Sequence, residues 1–378
     1  MKNSLKTVSV NNERNYGIDL LRIVSMMMIV TLHVLYQGGI LENISVSSLR
    51  FGTVWLLEIM CLCSVNCYGL ISGYVGYGRK FKFANIINLW FEVVFYNITI
   101  NAVFFILYKL KFFSTFMGEF SENIILPLTK GTYWYFTAYF FMSFFIPLFN
   151  FILQELSKKR MTYILLTMIG IFSIFYAFFF GRQIDVFLLG NGYNILWLSA
   201  LYLIGAYAKK YGFLKNIKKY KCVFIFLINS ILLLICKFLE ANKISVSWFH
   251  YSLFSYNNLL HLINGIMLLI FFSKLKLNHI ITNFTKFFAP VTFGVYIIHL
   301  HPILWKWLEW RFVSYTQYFH PLMIAAIIVT VLIIWLVCSL VDRIRLFIFA
   351  IFKVKKYCVK IENTAQKLFG KLYDKYFF

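Results

Sequence analysis

Ten long apolar runs dominate this chain of 378 residues and restrict what it can fold into. They lie at 17–37, 53–72, 86–108, 132–153, 161–180, 193–208, 221–240, 251–273, 287–307 and 321–342. An α-helix needs about 20 apolar residues to cross a bilayer, and most runs approach that length. Backbone groups in hydrocarbon must bond internally, and the runs lack the alternation of a membrane β-barrel. The sequence therefore predicts an all-α, polytopic transmembrane helix bundle of about ten spans.

The composition excludes a water-soluble surface. Charged residues make up 13% of the chain and hydrophobic residues 61%, whereas a soluble domain carries about 25% charged residues. We expect three parts: a cytoplasmic segment at 1–16, a transmembrane domain at 17–342 and a basic cytoplasmic tail at 343–378. The start of the chain lacks a signal-peptide cleavage site, so we expect the first run to be retained as a membrane helix.

The net charge of +23 indicates orientation rather than a nucleic-acid partner. If the N-terminus is cytoplasmic, most Lys and Arg residues fall in the inner loops and the tail, as the positive-inside rule requires. This predicts both termini in the cytoplasm, with the tail along anionic lipid headgroups.

The seven cysteines lie mostly in apolar runs without metal-ligand spacing to His, so we expect neither a disulfide framework nor a metal site.

The first apolar run carries Arg22 and His33, eleven residues apart. This spacing puts both side chains on nearly one helix face, about 16 Å apart along the axis. Ionisable residues within a span are costly and usually face a pocket. Arginine suits a phosphate or carboxylate, and histidine suits proton removal from a hydroxyl. The pair predicts a channel that enters past Arg22 and reaches His33. Alternatively, Arg22 extends to the interface and His33 only bonds within the bundle.

Other polar or aromatic side chains are candidates for a substrate pocket. Glu58 could orient His33 or accept a hydrogen bond from a sugar hydroxyl. Trp134 belongs either to an interfacial aromatic belt or to a surface that stacks on glycans. Asn257, His261 and Asn264 form a polar stripe at the spacing i, i+4, i+7, and Asn258 lies next to it. The stripe could line a sugar pocket or bond between helices.

The cytoplasmic end of the second run offers a candidate donor site. Ser72 ends that run, and Arg79 and Lys80 follow closely. A donor phosphate could bind there, although Ser72 and the adjacent glycine could equally cap or pack the helix.

Four motifs, in this order, resemble the acyltransferase-3 family of integral membrane acyltransferases, which modify cell-surface glycans and lipids. They are Asp19-Leu-Leu-Arg22 with His33, the segment Tyr68–Tyr74 containing Ser72-Gly73, the segment Tyr133–Tyr139 followed by Pro147, and Thr292-Phe-Gly-Val-Tyr-Ile-Ile-His299. Together they extend over most of the chain. The pair Arg79-Lys80 departs from the family's spaced arginine pair.

The resemblance implies an O-acyltransferase, most simply an O-acetyltransferase, in a bacterial plasma membrane. The donor would be cytoplasmic acetyl-CoA, and the acceptor a surface polysaccharide or its lipid-linked precursor. His33 and Arg22 are then the candidate catalytic residues, and His33 would activate the acceptor hydroxyl or carry the acyl group. Arg22, Ser72, Arg79 and Lys80 are candidates for donor binding.

The acceptor candidates are Glu58, Trp134, Asn258, His261 and His299, and no metal is expected. Membrane lipids are further partners, and the chain could also form a homo-oligomer. The main alternative is a polysaccharide exporter or flippase, which needs a continuous pathway and no acyl donor. A polysaccharide polymerase is a third possible function, but such enzymes usually carry a large polar outer loop, and the longest outer loop expected here, at about 109–131, is short.

Overall fold

A computed structural model describes residues 14–113, 127–128, 132–180, 185, 187–212, 216–244 and 253–377. Every regular element within these ranges is helical, and none is a strand. The predicted all-α class is therefore confirmed.

The helices follow one another with short connections. The first half contains α1 (Tyr16–Leu35), α2 (Ile40–Asn43), α3 (Leu49–Leu62), α4 (Ser64–Gly76), α5 (Phe83–Lys109), α6 (Trp134–Ser143), α7 (Ile146–Glu155), α8 (Lys158–Ile169) and α9 (Tyr176–Phe180), with a π-helical turn at Gly170–Phe175. The second half contains α10 (Ile195–Tyr211), α11 (Lys219–Ala241), α12 (Leu259–Ser273), α13 (His279–Phe288), α14 (Thr292–His299), α15 (Pro302–Leu308), α16 (His320–Ile351) and α17 (Val354–Phe377).

Seven helical segments of the described chain are long and apolar enough to cross a membrane, and the bent pair α6–α7 makes an eighth candidate. This supports a multi-pass membrane protein. Two of the ten predicted runs fall on α10 and α12, which have 17 and 15 residues and are short for a straight span. The count of ten and the cytoplasmic position of both termini stay predictions. The division into three parts also stays a prediction, and its boundary at 342/343 falls inside α16.

Helix α1 lies inside the bundle, where it contacts α3, α4, α12 and α16. Asn15 begins the helix, since its side-chain oxygen accepts a hydrogen bond from the Ile18 amide, as N-cap residues do. The Asn15 amide group also donates to the carbonyl oxygen of Ser273 at the end of α12. Leu21 and Val34 are fully buried. This packing holds the Arg22–His33 segment against several neighbouring helices rather than against lipid alone.

Helices α4 and α10 touch through their backbones. A Cβ atom on Gly73 would lie 1.8 Å from the Tyr202 carbonyl oxygen, and one on Gly205 would lie 2.0 Å from that of Leu70. No side chain fits at these distances, so each glycine allows a close approach of the kind common between membrane helices. The contact fixes α4, which carries Tyr68 and Ser72.

A buried ion cluster joins α5 and α16. The Arg345 guanidinium lies 2.8 Å from a carboxylate oxygen of Glu92 and 2.7 Å from one of Asp342, and the Tyr96 hydroxyl donates to Asp342. All four side chains are buried. Arg345 therefore does not extend into water, although it lies within the segment that we expected to form the basic tail. The Asp342 carboxylate also packs against Gly294, where a Cβ atom would lie 2.0 Å from the Asp342 Cγ atom. The cluster thus supports α14.

Candidate active site

A cavity of about 610 Å³ lies beside the C-terminal half of α1. Its lining includes His33, Glu58, Tyr68, Trp134, Tyr193, Tyr256, Tyr296 and Trp305. We call it the His33 cavity. Its walls are mainly aromatic and aliphatic, with a few polar groups among them, which is typical of a small-molecule binding site.

His33 meets a second histidine at the edge of this cavity. Its Nδ1 atom lies 2.9 Å from Nε2 of His299, and the Nδ1 atom of His299 lies at hydrogen-bond distance from the Val295 carbonyl oxygen. The Trp305 ring packs nearly perpendicular to the His33 ring at a centroid distance of 4.9 Å. His299 is only 2% exposed. The structure therefore brings His33 and His299 together, with His33 at the cavity and His299 behind it.

Glu58 lines the same cavity as His33 and is buried. Its Oε2 atom has no hydrogen-bond partner among the described residues. Buried polar atoms in folded proteins are nearly always paired, so an unpaired carboxyl oxygen on a residue that lines a cavity makes Glu58 a candidate for contact with a ligand. The sequence prediction of a pocket position for Glu58 agrees with this placement.

Trp134 forms one aromatic wall of the His33 cavity. Its ring lies 4.5 Å from that of Tyr193 and 5.9 Å from that of Tyr256, with the Tyr256 ring nearly parallel to it. The two tyrosine rings also contact each other at 4.9 Å. Flat aromatic surfaces of this kind can stack on the apolar face of a sugar ring.

Arg22 lines a different cavity, of about 290 Å³, which we call the Arg22 cavity. Its charged lining consists of Arg14, Asp19, Arg22, Arg79 and Lys209. Asp19 binds Nη1 of Arg22 at 3.0 Å and Nε of Arg14 at 2.6 Å. Four cationic side chains face one carboxylate, so the lining has an excess of positive charge and is suited to an anion.

A third cavity, of about 390 Å³, adjoins the Arg22 cavity and shares Arg14, Asn15 and Lys209 with it. The two spaces together are large enough for an extended ligand with several anionic groups. Arg14 and Lys209 were not predicted as site residues. Their positions in the sequence could have indicated a role in this site, since Lys209 ends an apolar run and Arg14 lies just before α1.

Tyr68 lies between the two main cavities. Its ring lines the His33 cavity, and its hydroxyl donates a hydrogen bond of 2.8 Å to the carbonyl oxygen of Arg22. Ser72 donates to the Tyr68 carbonyl oxygen one turn further along α4. We expected one channel from Arg22 to His33. The structure instead places the two side chains in separate cavities, and the Tyr68 hydroxyl bonds to the backbone of α1 at Arg22.

Only two of the four donor-site residues predicted from the sequence line the Arg22 cavity in the structure. Arg22 and Arg79 line the Arg22 cavity together, whereas Ser72 and Lys80 are not among its lining residues. Ser72 instead bonds along α4 and lies next to the hydroxyls of Tyr135 and Tyr139.

The polar stripe on α12 does not line the His33 cavity. Asn258 caps α12 by accepting from the Leu260 amide, and His261 donates to the Leu253 carbonyl oxygen. Asn264 accepts a hydrogen bond from Asn229 of α11. These contacts agree with the alternative reading, hydrogen bonding within the bundle, and the placement gives Asn258 and His261 no contact with this cavity.

In the described part of the chain, no group of three or more His, Cys, Asp or Glu side chains could hold a metal ion.

A sequence profile of the acyltransferase-3 family, described as an acyltransferase domain, matches residues 15–339. Comparisons with curated proteins and with solved structures gave no significant match. The matched region contains the whole lining of the His33 cavity and every lining residue of the Arg22 cavity except Arg14. The chain therefore belongs to the acyltransferase-3 family of membrane acyltransferases.

Proposed function

We propose that this protein transfers an acetyl or other short acyl group from cytoplasmic acyl-CoA to a hydroxyl of a bacterial surface polysaccharide or its lipid-linked precursor. The protein would act in the plasma membrane. One observation carries the proposal: a single buried helix presents Arg22 to a basic cavity and His33 to an aromatic one. A transferase needs these two environments, one for an anionic donor and one for a sugar acceptor.

The Arg22 cavity would bind the phosphates of the donor. Arginine and lysine side chains there supply charge-assisted hydrogen bonds, which are stronger than neutral ones. Arg22 and His33 are about 16 Å apart along α1, so the long pantetheine arm of CoA would have to follow the helix past Tyr68. The thioester would then reach the His33 cavity.

The His33 cavity would bind the acceptor sugar. Trp134, Tyr193 and Tyr256 offer flat faces for stacking, and Glu58 offers an unpaired carboxyl oxygen for a sugar hydroxyl. Together these contacts would hold one hydroxyl near His33. Tight positioning of reacting groups can contribute several kcal/mol to catalysis, on the order of 7–11 in the best cases.

The chemistry needs one proton acceptor. His33 would remove the proton from the acceptor hydroxyl as its oxygen attacks the thioester carbonyl carbon. The carbon–sulfur bond then breaks, and His33 returns the proton to the departing CoA sulfur. The products are an ester on the sugar and free CoA. If the acyl group instead passes through His33, the same ring nitrogen would form and then release the acyl bond.

The direct test compares the surface glycan of a strain that lacks the gene with that of a complemented strain. Mass spectrometry should show an ester-linked acyl group that is lost on deletion and restored on complementation. Purified protein in nanodiscs should transfer label from [¹⁴C]acetyl-CoA to glycan from the deletion strain. Identical acyl content in both strains would contradict the proposed function.

Removing a cation from the Arg22 cavity should weaken donor binding. Replacing Arg22 or Lys209 with Gln should raise the KM for acetyl-CoA by about tenfold each, since one charge-assisted hydrogen bond contributes about 1.5 kcal/mol. The KM for the acceptor should not change. Arg160→Gln is the matched control because Arg160 is exposed at the start of α8. An unchanged donor KM in both variants would show that the donor binds elsewhere.

A further inference from the structure

We infer that His299 is a positioning residue that fixes the tautomer and ring orientation of His33. The inference rests on the proposed function, because it gives His33 the role of proton acceptor. Under this inference His299 does not contact the acceptor, in contrast to the role expected from the sequence. It acts only through the His33 ring.

The relay begins at the backbone of α14. The Nδ1 atom of His299 faces the carbonyl oxygen of Val295, one turn earlier in the same helix. A carbonyl oxygen can only accept, so this nitrogen must carry the proton. His299 is 2% exposed and no carboxylate pairs with it among the described residues, so a second proton would leave a buried charge without a counterion. His299 is therefore neutral, and its Nε2 atom is an acceptor.

The second step assigns the proton on His33. The Nδ1 atom of His33 lies 2.9 Å from this acceptor nitrogen, so Nδ1 of His33 carries the hydrogen and donates it. The neutral imidazole then keeps a lone pair on Nε2. That nitrogen makes no hydrogen bond to the described residues, and the ring borders the cavity. The relay thus leaves the proton-accepting nitrogen of His33 available to a ligand.

Two further contacts hold the relay in place. The Trp305 ring packs nearly perpendicular to the His33 ring, at an interplanar angle of 85°, and this contact restricts rotation of the His33 ring. Gly294, next to Val295, lies directly against the Asp342 carboxylate, which fixes the start of α14. Without His299, His33 would divide between two tautomers, and one of them carries a proton on Nε2 and cannot accept another. The general rule is that a second group sets which ring nitrogen of a catalytic histidine is protonated.

A pair of substitutions tests the relay. His299→Leu keeps the apolar volume but removes the acceptor, and should lower kcat by about 100-fold. His299→Gln keeps an amide oxygen that can accept from His33, and should retain activity within about tenfold of the wild type. The KM for the acceptor should stay unchanged in both variants. A raised acceptor KM with an unchanged kcat would instead show that His299 contacts the substrate, and would overturn the inference.

A second measurement does not depend on activity. In nanodisc-embedded protein labelled with ¹⁵N-histidine, the His33 signal is assigned by comparison with His33→Gln. It should report a protonated Nδ1 and an unprotonated Nε2 in the wild type, and a mixture of tautomers in His299→Leu. A wild-type His33 protonated at Nε2 would overturn the relay even if the protein proves active. If the expected tautomer is found but no acyl transfer occurs, the proposed function fails and the relay stands.

Discussion

Replacing His33 with Gln should lower acyl transfer by about 10³-fold, the largest effect on activity that we expect from any single substitution. Gln has a similar size and can still bond to His299, but it has no nitrogen that accepts a proton at neutral pH. Donor binding should survive, because the Arg22 cavity is separate from the His33 cavity. The measurement is the rate of label transfer from [¹⁴C]acetyl-CoA, together with the acetyl-CoA-dependent rise in the melting temperature of the detergent-solubilised protein.

His279→Gln is the matched control for this prediction. His279 is exposed at the start of α13, and its ring bonds to Asn283 in the same helix, so its replacement should leave the rate unchanged. A His33→Gln variant that reaches the membrane, binds acetyl-CoA and still transfers at the wild-type rate would remove His33 from the mechanism. A variant that loses both binding and transfer would indicate a folding defect, and the melting temperature without ligand identifies that case.

Replacing Arg345 with Leu should cause the largest loss of stability, about 3–5 kcal/mol, because it leaves Glu92 and Asp342 buried without their cation. Glu92→Gln should cost much less. Asp342 makes two short hydrogen bonds to Arg345, of 2.8 and 2.7 Å, and these remain in that variant. The melting temperature and the yield of monodisperse protein in detergent measure both effects.

A charge removed from the exposed surface is the control for Arg345. Lys355 lies on α17 and is exposed, so Lys355→Leu should change the melting temperature little. Equal melting temperatures for Arg345→Leu and Lys355→Leu would show that the ion cluster does not stabilise the bundle. The loss of stability in Arg345→Leu should also disturb the candidate active site, because Asp342 supports α14, which carries His299.

The parts of this structure that could be predicted from sequence are those set by local pattern. Apolar runs near the length of a bilayer predict membrane helices, and the eleven-residue spacing puts Arg22 and His33 on one face of α1. The motif ending at His299 suggested a role for that residue, and the structure places it beside His33.

The parts that could not be predicted depend on how helices pack. The contact between His33 and His299 joins residues 266 positions apart, and no spacing rule covers that distance. The pairing of Arg345 with Glu92 also joins residues far apart in the sequence. In addition, a basic residue beyond a long apolar run normally indicates a cytoplasmic loop and not a buried ion pair. The stripe on α12 shows a different limit. A polar helix face looks the same in sequence whether it meets a cavity or another helix.

The backbone contact between α4 and α10 limits how α4, and Tyr68 with it, can move. Because no side chains separate the two helices at Gly73 and Gly205, α4 is packed too closely against α10 to slide along it. The Tyr68 hydroxyl donates to the Arg22 carbonyl oxygen and also lies close to Thr292, so any movement of Tyr68 would have to be a change of side-chain rotamer that breaks these contacts. Rotamer changes are far faster than collective helix movements. If the donor follows the proposed route along α1, it would therefore displace the Tyr68 side chain rather than shift α4.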